Sequence, residues 1–412
     1  MNVVIVGAFW YPTGTASAAR VRNLAQGLLE CGAAVHVIAT VPQPRGGARA
    51  GREQDGVTFE YAAPLQAASD GWRDAERTVP RLRQGPLATA RWFAGLYGAT
   101  PRACRSLRER IDAGACDLLL VYERSYLRMA PLARLARSRG VPVVLDVVEA
   151  SEHLRRRRAS PLYWDFVAGA RATPRLFDGV SAITTGLAAL YRSRGCAQTL
   201  VVPSIEQWTA AMPPPAVGAG RFRLTYVGAL QERDAPDLLL AAMKALHRRG
   251  ADVSLDVVGH YDGTARGAAA RARCAADHDL GAVRFLGSLS EAALVAHLAA
   301  SDGIVLTRRA ARPEELAVPT RLVEHLRHGR PVFVSDVGDV ARYLVHGRDA
   351  VLLDPRDAER AAEAVAEVAG RADRGAPIGL AGRVAGARAF DRRVHAARLL
   401  EFASLLRTGR AA

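Results

Sequence analysis

Pro319-Thr320-Arg321-Leu322-Val323-Glu324-His325-Leu326-Arg327-His328-Gly329-Arg330-Pro331-Val332 reads as a helix that begins near Thr320, stops on Gly329 and passes through a proline into a strand. That strand, Val332 to Ser335, closes a series. Before it come Leu224 to Val227, Val253 to Val258, Val283 to Leu286 and Gly303 to Leu306, all short runs rich in β-branched residues and separated by helix-length segments. The first three run into Gly228, Gly259 and Gly287. The first half of the chain repeats the pattern. Val3 to Val6 ends at Gly7, a helix over Ser17 to Cys31 carries Val21, Leu24, Leu28 and Leu29 on one face, and Val35 to Ala39 follows Gly32. Leu118 to Tyr122, Val143 to Val147, Val180 to Thr184 and Leu200 to Val202 are further buried strands. Such alternation predicts parallel sheets covered by helices. A break at residues 206–220, with Pro213-Pro214-Pro215 and then Val217-Gly218-Ala219-Gly220, is a linker composition. The fold class is therefore α/β, with two doubly wound, Rossmann-like domains. Ligands of such sheets sit at the carboxyl ends of the strands, so two domains facing each other would share a cleft.

Composition narrows the function. The 412 residues are half apolar and 24% charged, a globular balance. No apolar run approaches the roughly 18 residues of a membrane span. The start, MNVVIVGAFWYP, goes straight into a strand, so no cleaved leader is expected. Cys31, Cys104, Cys116, Cys196 and Cys274 are scattered and form no CxxC pair, which argues against a disulfide framework or a zinc site. A reduced cytoplasm is the expected home. The net charge is +15, of which the first 210 residues carry +10, and Lys244 is the only lysine. Zinc-finger, RNP-type and helix-turn-helix signatures are missing, so nucleic acid is not the expected partner. A basic first half suits anionic lipid or a phosphate-bearing acceptor, and it equally suits a solvated surface.

Two segments point to chemistry. The turn from Gly7 through Gly14, Thr15 and Ala16 to Ser17 is rich in small residues, which lets backbone N–H groups approach an anion or sugar hydroxyl; it also suits a plain tight loop capped by Ser17. It matches neither GxGxxG nor GxxxxGK[ST], and no acidic residue ends the second strand, so a nicotinamide dehydrogenase and a P-loop enzyme are set aside. In the opening segment, Thr320, Arg321 and Glu324 bring a hydroxyl, a guanidinium and a carboxylate to the first turn of a helix. Arg321 there could hold a pyrophosphate, with Glu324 in reach of a ribose diol; the same two residues also suit an exposed i,i+3 ion pair.

Over nearly its whole length the chain resembles the retaining family-4 glycosyltransferases of the GT-B fold. The resemblance is carried by NLAQGLLECG at Asn23 to Gly32, DLLLVY at Asp117 to Tyr122, VPVVLDVVE at Val141 to Glu149, ITTGL at Ile183 to Leu187, Tyr226-Val227-Gly228, and above all PTRLVEHLRHGRPVFVSD from Pro319. It implies a hexosyltransferase-type enzyme moving sugar from a nucleotide-sugar donor to an acceptor hydroxyl with retention of configuration, in glycan, glycolipid or glycoconjugate biosynthesis. By the same resemblance Glu324 binds the ribose. Thr320 and Arg321 help hold the donor phosphates, with Pro319 and Gly228 in the same donor site. Gly259, Leu286 and Ser288, on loops after two strands, flank the base, and Gly14 and Thr15 approach from the first domain. The domains implied are 1–205 for the acceptor, 206–220 as linker, 221–385 for the nucleotide sugar, and 386–412 as a helix crossing back. No cofactor or metal is expected, because basic residues offset the leaving diphosphate's charge.

Two departures stand out. Where the family has Gly-Arg and then Lys-Gly, this chain has Ala229 and Asp234-Ala235; Arg233, one residue off register, is the substitute cation. The first glutamate of the usual Glu-x7-Glu pair falls at Leu316, beside Glu314 and Glu315. Glu315, with Glu149 and His153 after the strand Val143 to Val147, completes the candidate catalytic set. Arg155 to Arg158, Tyr163, Trp164, Trp72, Arg81, Arg83, Arg91, Trp92 and Phe93 form a basic-aromatic group suited to a bilayer or a lipid-linked acceptor. Saccharide and small-molecule acceptors stay open. So do a silent nucleotide-sugar-binding subunit and, third, a sugar-nucleotide epimerase.

Overall fold

The computed structural model describes residues 1–14, 16–43, 50–52, 56–63, 97–149, 161–208, 220–310 and 319–411. They form two compact units: Met1–Gln207 together with Arg392–Ala412, and Trp208–Asp391.

Unit 1 is built on eight strands, β1 (Asn2–Gly7), β2 (Ala34–Ala39), β3 (Ala50–Arg52), β4 (Thr58–Tyr61), β5 (Leu118–Tyr122), β6 (Val143–Val147), β7 (Gly179–Ala182) and β8 (Thr199–Val201). Their order is β3-β4-β2-β1-β5-β6-β7-β8. Every pairing is parallel except β3 with β4. Val3, Val4, Ile5 and Val6 are all buried, so β1 is covered on both faces, which is why its sequence is a continuous apolar run. Helices α1 (Ala16–Glu30), α2 (Thr100–Asp112), α3 (Tyr126–Ser138), α4 (Pro161–Leu176) and α5 (Thr185–Ser193) accompany the sheet.

Unit 2 contains β9 (Phe222–Val227), β10 (Val253–Val258), β11 (Val283–Gly287), β12 (Gly303–Leu306), β13 (Val332–Ser335) and β14 (Val351–Leu353), all parallel, in the order β11-β10-β9-β12-β13-β14. This is the 3-2-1-4-5-6 order of a doubly wound sheet, whose switch point lies between β9 and β12. Its helices are α6 (Pro236–Arg248), α7 (Ala265–Ala276), α8 (Glu291–Ala300), α9 (Thr320–Leu326), α10 (Val340–Tyr343), α11 (Ala358–Ala369) and α12 (Ala376–Phe390).

The last helix, α13 (Arg392–Ala411), belongs to unit 1. Its Ala396, Leu399, Phe402 and Ala403 join the core formed with Leu24 and Leu28 of α1. A Cβ on Gly27 would stand 2.7 Å from the Arg392 carbonyl, so only glycine lets the two helices approach this closely. Arg392 then ties the junction down through Glu30 at 2.5 Å, through Gln26, and through its own N–H to the Glu206 carbonyl at 3.0 Å. No described helix is long and apolar enough to cross a membrane.

Several sequence expectations shift. The strand read as Val180 to Thr184 is Gly179–Ala182, and Thr184 instead caps α5 by accepting the Leu187 N–H. Ser17 lies inside α1 rather than capping it. Val332 to Ser335 is not the final strand, since β14 pairs beyond it. The helix from Thr320 ends at Leu326, followed by a turn to Gly329, whose φ of +64° is a left-handed conformation that favours glycine. Thr15, His153, Glu315, Arg155 to Arg158, Trp72, Arg81, Arg83, Arg91, Trp92, Phe93 and most of the 206–220 linker lie outside the described residues.

Candidate donor site

The carboxyl ends of β9, β10 and β11 are stitched together by glycine backbone. Gly228 donates to the Val258 carbonyl and Gly259 to the Gly287 carbonyl, each at 2.8 Å. Gly287 in turn donates to the Tyr261 hydroxyl at 2.9 Å. Gly259 has φ +134°, and a Cβ there would sit 2.4 Å from the Gly228 carbonyl oxygen, so this edge is bare backbone by steric necessity. Arg321, in the first turn of α9, reaches over it. Its Nη1 donates to the Val227 carbonyl at 2.5 Å and lies 2.7 Å from where a Gly228 Cβ would be. Gly228, Gly259 and Arg321 are thus brought together at the switch point. Ser288 is exposed just past β11. Leu286 is within β11 rather than on the loop after it, and its side chain is exposed. Pro319 is the buried N-cap residue of α9, with Thr320 and Glu324 exposed beyond it.

Sequence reasoning missed Arg308. It directly follows Thr307 at the end of β12, and a basic pair, Arg308-Arg309, at a strand's carboxyl end was the signal that could have found it. Its backbone N–H donates to Ser335 Oγ at 2.9 Å and its Nη1 lies 3.0 Å from Asp234 Oδ1. Asp234, read from sequence as a lost cation, ends a 3-10 turn over Glu232–Asp234 and is buried. Its carboxylate also accepts the Gln231 N–H at 2.8 Å and the hydroxyl of buried Tyr226. The Tyr226 phenol is pushed up by burial, and Asp234 adds to the rise. Burial lowers the Arg308 pKa, Asp234 opposes this, and Arg233 and Arg321 push it down further. Arg233 itself is exposed. Three guanidinium groups therefore share one electrostatic neighbourhood.

In unit 1 the first turn packs its aromatic residues inward. Phe9 and Tyr11 are buried, the former edge-on to Tyr122 at 5.8 Å. The Tyr61 hydroxyl accepts the Tyr11 N–H at 2.9 Å and donates to the Tyr11 carbonyl at 2.8 Å. Gly14 is exposed, and a Cβ there would approach Trp10 and Ala18 at 3.0 and 3.1 Å. Glu149, in the turn after β6, forms an exposed ion pair with Arg124 at 3.0 Å.

Behind Arg321 on α9, His325 is buried, and among the described residues neither ring nitrogen has a hydrogen-bond partner. Burial pushes its pKa down to about 3, with His328 and Arg321 adding to the drop. His328 is lowered to about 4, again mainly by burial. Both values lie below the ordinary 6.5, so the unfolded chain takes up protons first. Stability is fully present above pH 6.5 and is lost as pH falls from there toward 3 for His325 and toward 4 for His328. Each histidine contributes a loss of about 1.4 kcal/mol per pH unit within its window. Thermal melts between pH 7.5 and 5 are expected to show unit 2 losing stability. The His325→Leu variant flattens that dependence; an equally steep dependence in the variant would contradict it.

Comparisons with known proteins now fit this geometry. The family model for glycosyl transferases group 1 matches residues 221–370, and that for the glycosyl transferase 4-like domain matches residues 15–204. A GDP-mannose-dependent alpha-(1-6)-phosphatidylinositol monomannoside mannosyltransferase of Mycobacterium tuberculosis is 27% identical over 283 residues, covering 62% of this chain and 67% of that protein. Sucrose-phosphate synthase from Thermosynechococcus elongatus superposes with a TM-score of 0.71 at 16% identity, over 99% of this chain and 100% of that one. Anabaena HepE in complex with UDP and glucose gives 0.64 at 16% identity, over 98% and 99%. The chain belongs to the GT-B glycosyltransferases. Its reaction is glycosyl transfer from a nucleotide sugar.

Proposed function

We propose that the chain is a retaining, metal-independent hexosyltransferase whose donor lies on the β9–β12 switch point, with a lipid-linked or saccharide hydroxyl as acceptor. The observation that carries this reading is Arg321, seated on the Val227 carbonyl beside the bare Gly228–Gly259 edge with Glu324 three residues on. The glycine edge admits a flat, closely approaching group, the guanidinium groups offset a diphosphate's charge, and the Glu324 carboxylate accepts from ribose hydroxyls. Assigning the charge to Arg321, Arg308 and Arg233 leaves no task that needs a metal ion. Support for a lipid-linked acceptor comes from the mycobacterial relative, named for a phosphatidylinositol monomannoside, and its named donor is GDP-mannose. HepE, by contrast, was crystallised with UDP-glucose. Exposed Trp164 and Leu127, the former edge-on to Tyr163, offer unit 1 an apolar contact with the lipid part of such an acceptor at the inner face of the membrane.

The test is nucleotide release from GDP-mannose and UDP-glucose, with extracted membrane lipids and with free saccharides as acceptors. Acceptor-dependent release is expected, and NMR of the product is expected to show the donor's anomeric configuration. Release that needs no acceptor would point to an epimerase or hydrolase, and an inverted product would overturn retention. Binding without release under any condition would point to a silent subunit.

A further inference from the structure

Around the carboxyl ends of β9 and β12 the described residues gather four arginines, Arg233, Arg308, Arg309 and Arg321. Glu232 pairs with Arg309 at 2.5 Å and Asp234 pairs with Arg308, whose charge Arg233 and Arg321 also oppose. Arg308 is enclosed, with a side chain 15% exposed, and its buried Nε has no hydrogen-bond partner among the described residues. A buried guanidinium with a donor to spare, crowded by two like charges, is stabilised by an anion. Asp234 is not placed to be that anion's rival. Its carboxylate is held by the Gln231 N–H, the Tyr226 hydroxyl and Arg308 itself, while its carbonyl accepts the Thr307 hydroxyl at 2.6 Å. The Arg309 N–H to the Arg233 carbonyl, at 3.1 Å, is a second link between the same two segments. The turn at Glu232–Asp234 is therefore locked onto the end of β12, and the lock aims Arg308.

We propose that Arg308 is a diphosphate-binding residue of the donor site and that Asp234 is its positioning residue. A carboxylate thus strengthens anion binding by orienting a cation supplied from a different strand. The inference rests on the donor-site reading above and goes beyond it in one respect: an acidic residue beside the phosphates helps rather than hinders.

The experiment is calorimetric titration of the full chain with ADP, GDP and UDP, alongside saturation-transfer NMR with the matching nucleosides, which lack phosphate. Arg308→Gln is expected to weaken the preferred diphosphate tenfold to a hundredfold and leave the nucleoside signal unchanged, with Arg308→Lys recovering part of the loss. Asp234→Asn, nearly isosteric, is expected to weaken the diphosphate severalfold although it removes a negative charge. In the Arg308→Gln background the same change is expected to have no effect or to tighten binding. Tighter binding by Asp234→Asn alone would overturn the positioning role. Equal losses for nucleoside and diphosphate in both Arg308 variants would reduce Arg308 to a structural part. Glu324→Ala separates the two levels. Binding lost there but untouched in Arg308→Gln sinks this inference only, whereas a wild-type chain that binds none of the three diphosphates sinks the donor site with it.

Discussion

Glu324→Ala is expected to lower kcat/KM for the nucleotide sugar by two to four orders of magnitude and to abolish the thermal stabilisation given by the nucleoside diphosphate. The magnitude follows from the chemistry of a diol. A carboxylate accepting two hydroxyl hydrogens makes two charge-assisted bonds of about 1.5–3 kcal/mol each, and roughly 1.4 kcal/mol is a factor of ten. Folding is expected to survive, because Glu324 is exposed while α9 is held by buried Leu322, Val323 and Leu326. The melting temperature without nucleotide therefore stays close to that of the parent. A 2′,3′-dideoxy diphosphate, which lacks both hydroxyls, supplies the matching deletion on the ligand. It is expected to bind the parent chain weakly and to show no further loss with Glu324→Ala, since both remove the same interaction. A variant that keeps its full diphosphate shift, or that responds to 2′,3′-dideoxy substitution as the parent does, would remove Glu324 from the site.

Most strands were legible because a strand buried on both faces has to be a short apolar run. Val3 to Val6 obeys this throughout, and Val143 to Val147 and Val253 to Val258 do so apart from buried Asp146, Ser254 and Asp256. The missed strands escape for definite reasons. At the edge of the first sheet, Ala50-Gly51-Arg52 has no β-branched residue, and its partner Thr58–Tyr61 alternates half-buried and buried positions with Thr and Glu on the more open face. Val351–Leu353 is only three residues long. The backbone of the candidate donor edge was legible at Gly228 and Gly259, and so was the position of Arg321, which nearby sequence fixes at a helix start. Arg308 and Asp234 were not. Their meaning depends on one another across more than seventy residues, and a carboxylate at a position suited to a cation reads as a deletion until its partner is seen. The loop after β1 was legible only as rich in small residues; that Phe9 and Tyr11 pack beneath it, with Tyr61 binding both backbone groups of Tyr11, depends on β4 and could not be read locally.

The largest expected effect on stability lies in unit 1, at Arg20 and Asp146. Arg20, in the first turns of α1, meets Asp146 of β6 through two parallel bonds of 2.8 Å, from Nε to Oδ2 and from Nη2 to Oδ1. Two further donors are used as well, Nη1 on the Pro203 carbonyl at 2.8 Å and Nη2 on the Val202 carbonyl at 3.1 Å. Ser181 Oγ of β7 donates to Asp146 Oδ1 at 2.9 Å. One buried pair therefore joins a helix, two strands and the chain leaving β8. Burial opposes the charge on Arg20, but Asp146 outweighs it and leaves the guanidinium pKa raised. Asp146→Ala strands that guanidinium away from water, and unit 1 is expected to lose about 3–5 kcal/mol, out of a typical total of 5–15. Arg20→Met combined with Asp146→Leu removes both charges and is expected to recover most of the loss, because the buried pair itself adds little net stability over apolar packing. Hydrogen exchange at the amides of α1 and β6, followed in urea, reads the difference in the unit concerned. A single variant that loses less than about 1 kcal/mol would show that the pair is solvated in solution, and a double variant as unstable as the single would place the stability in the hydrogen-bond network rather than in the balance of charge.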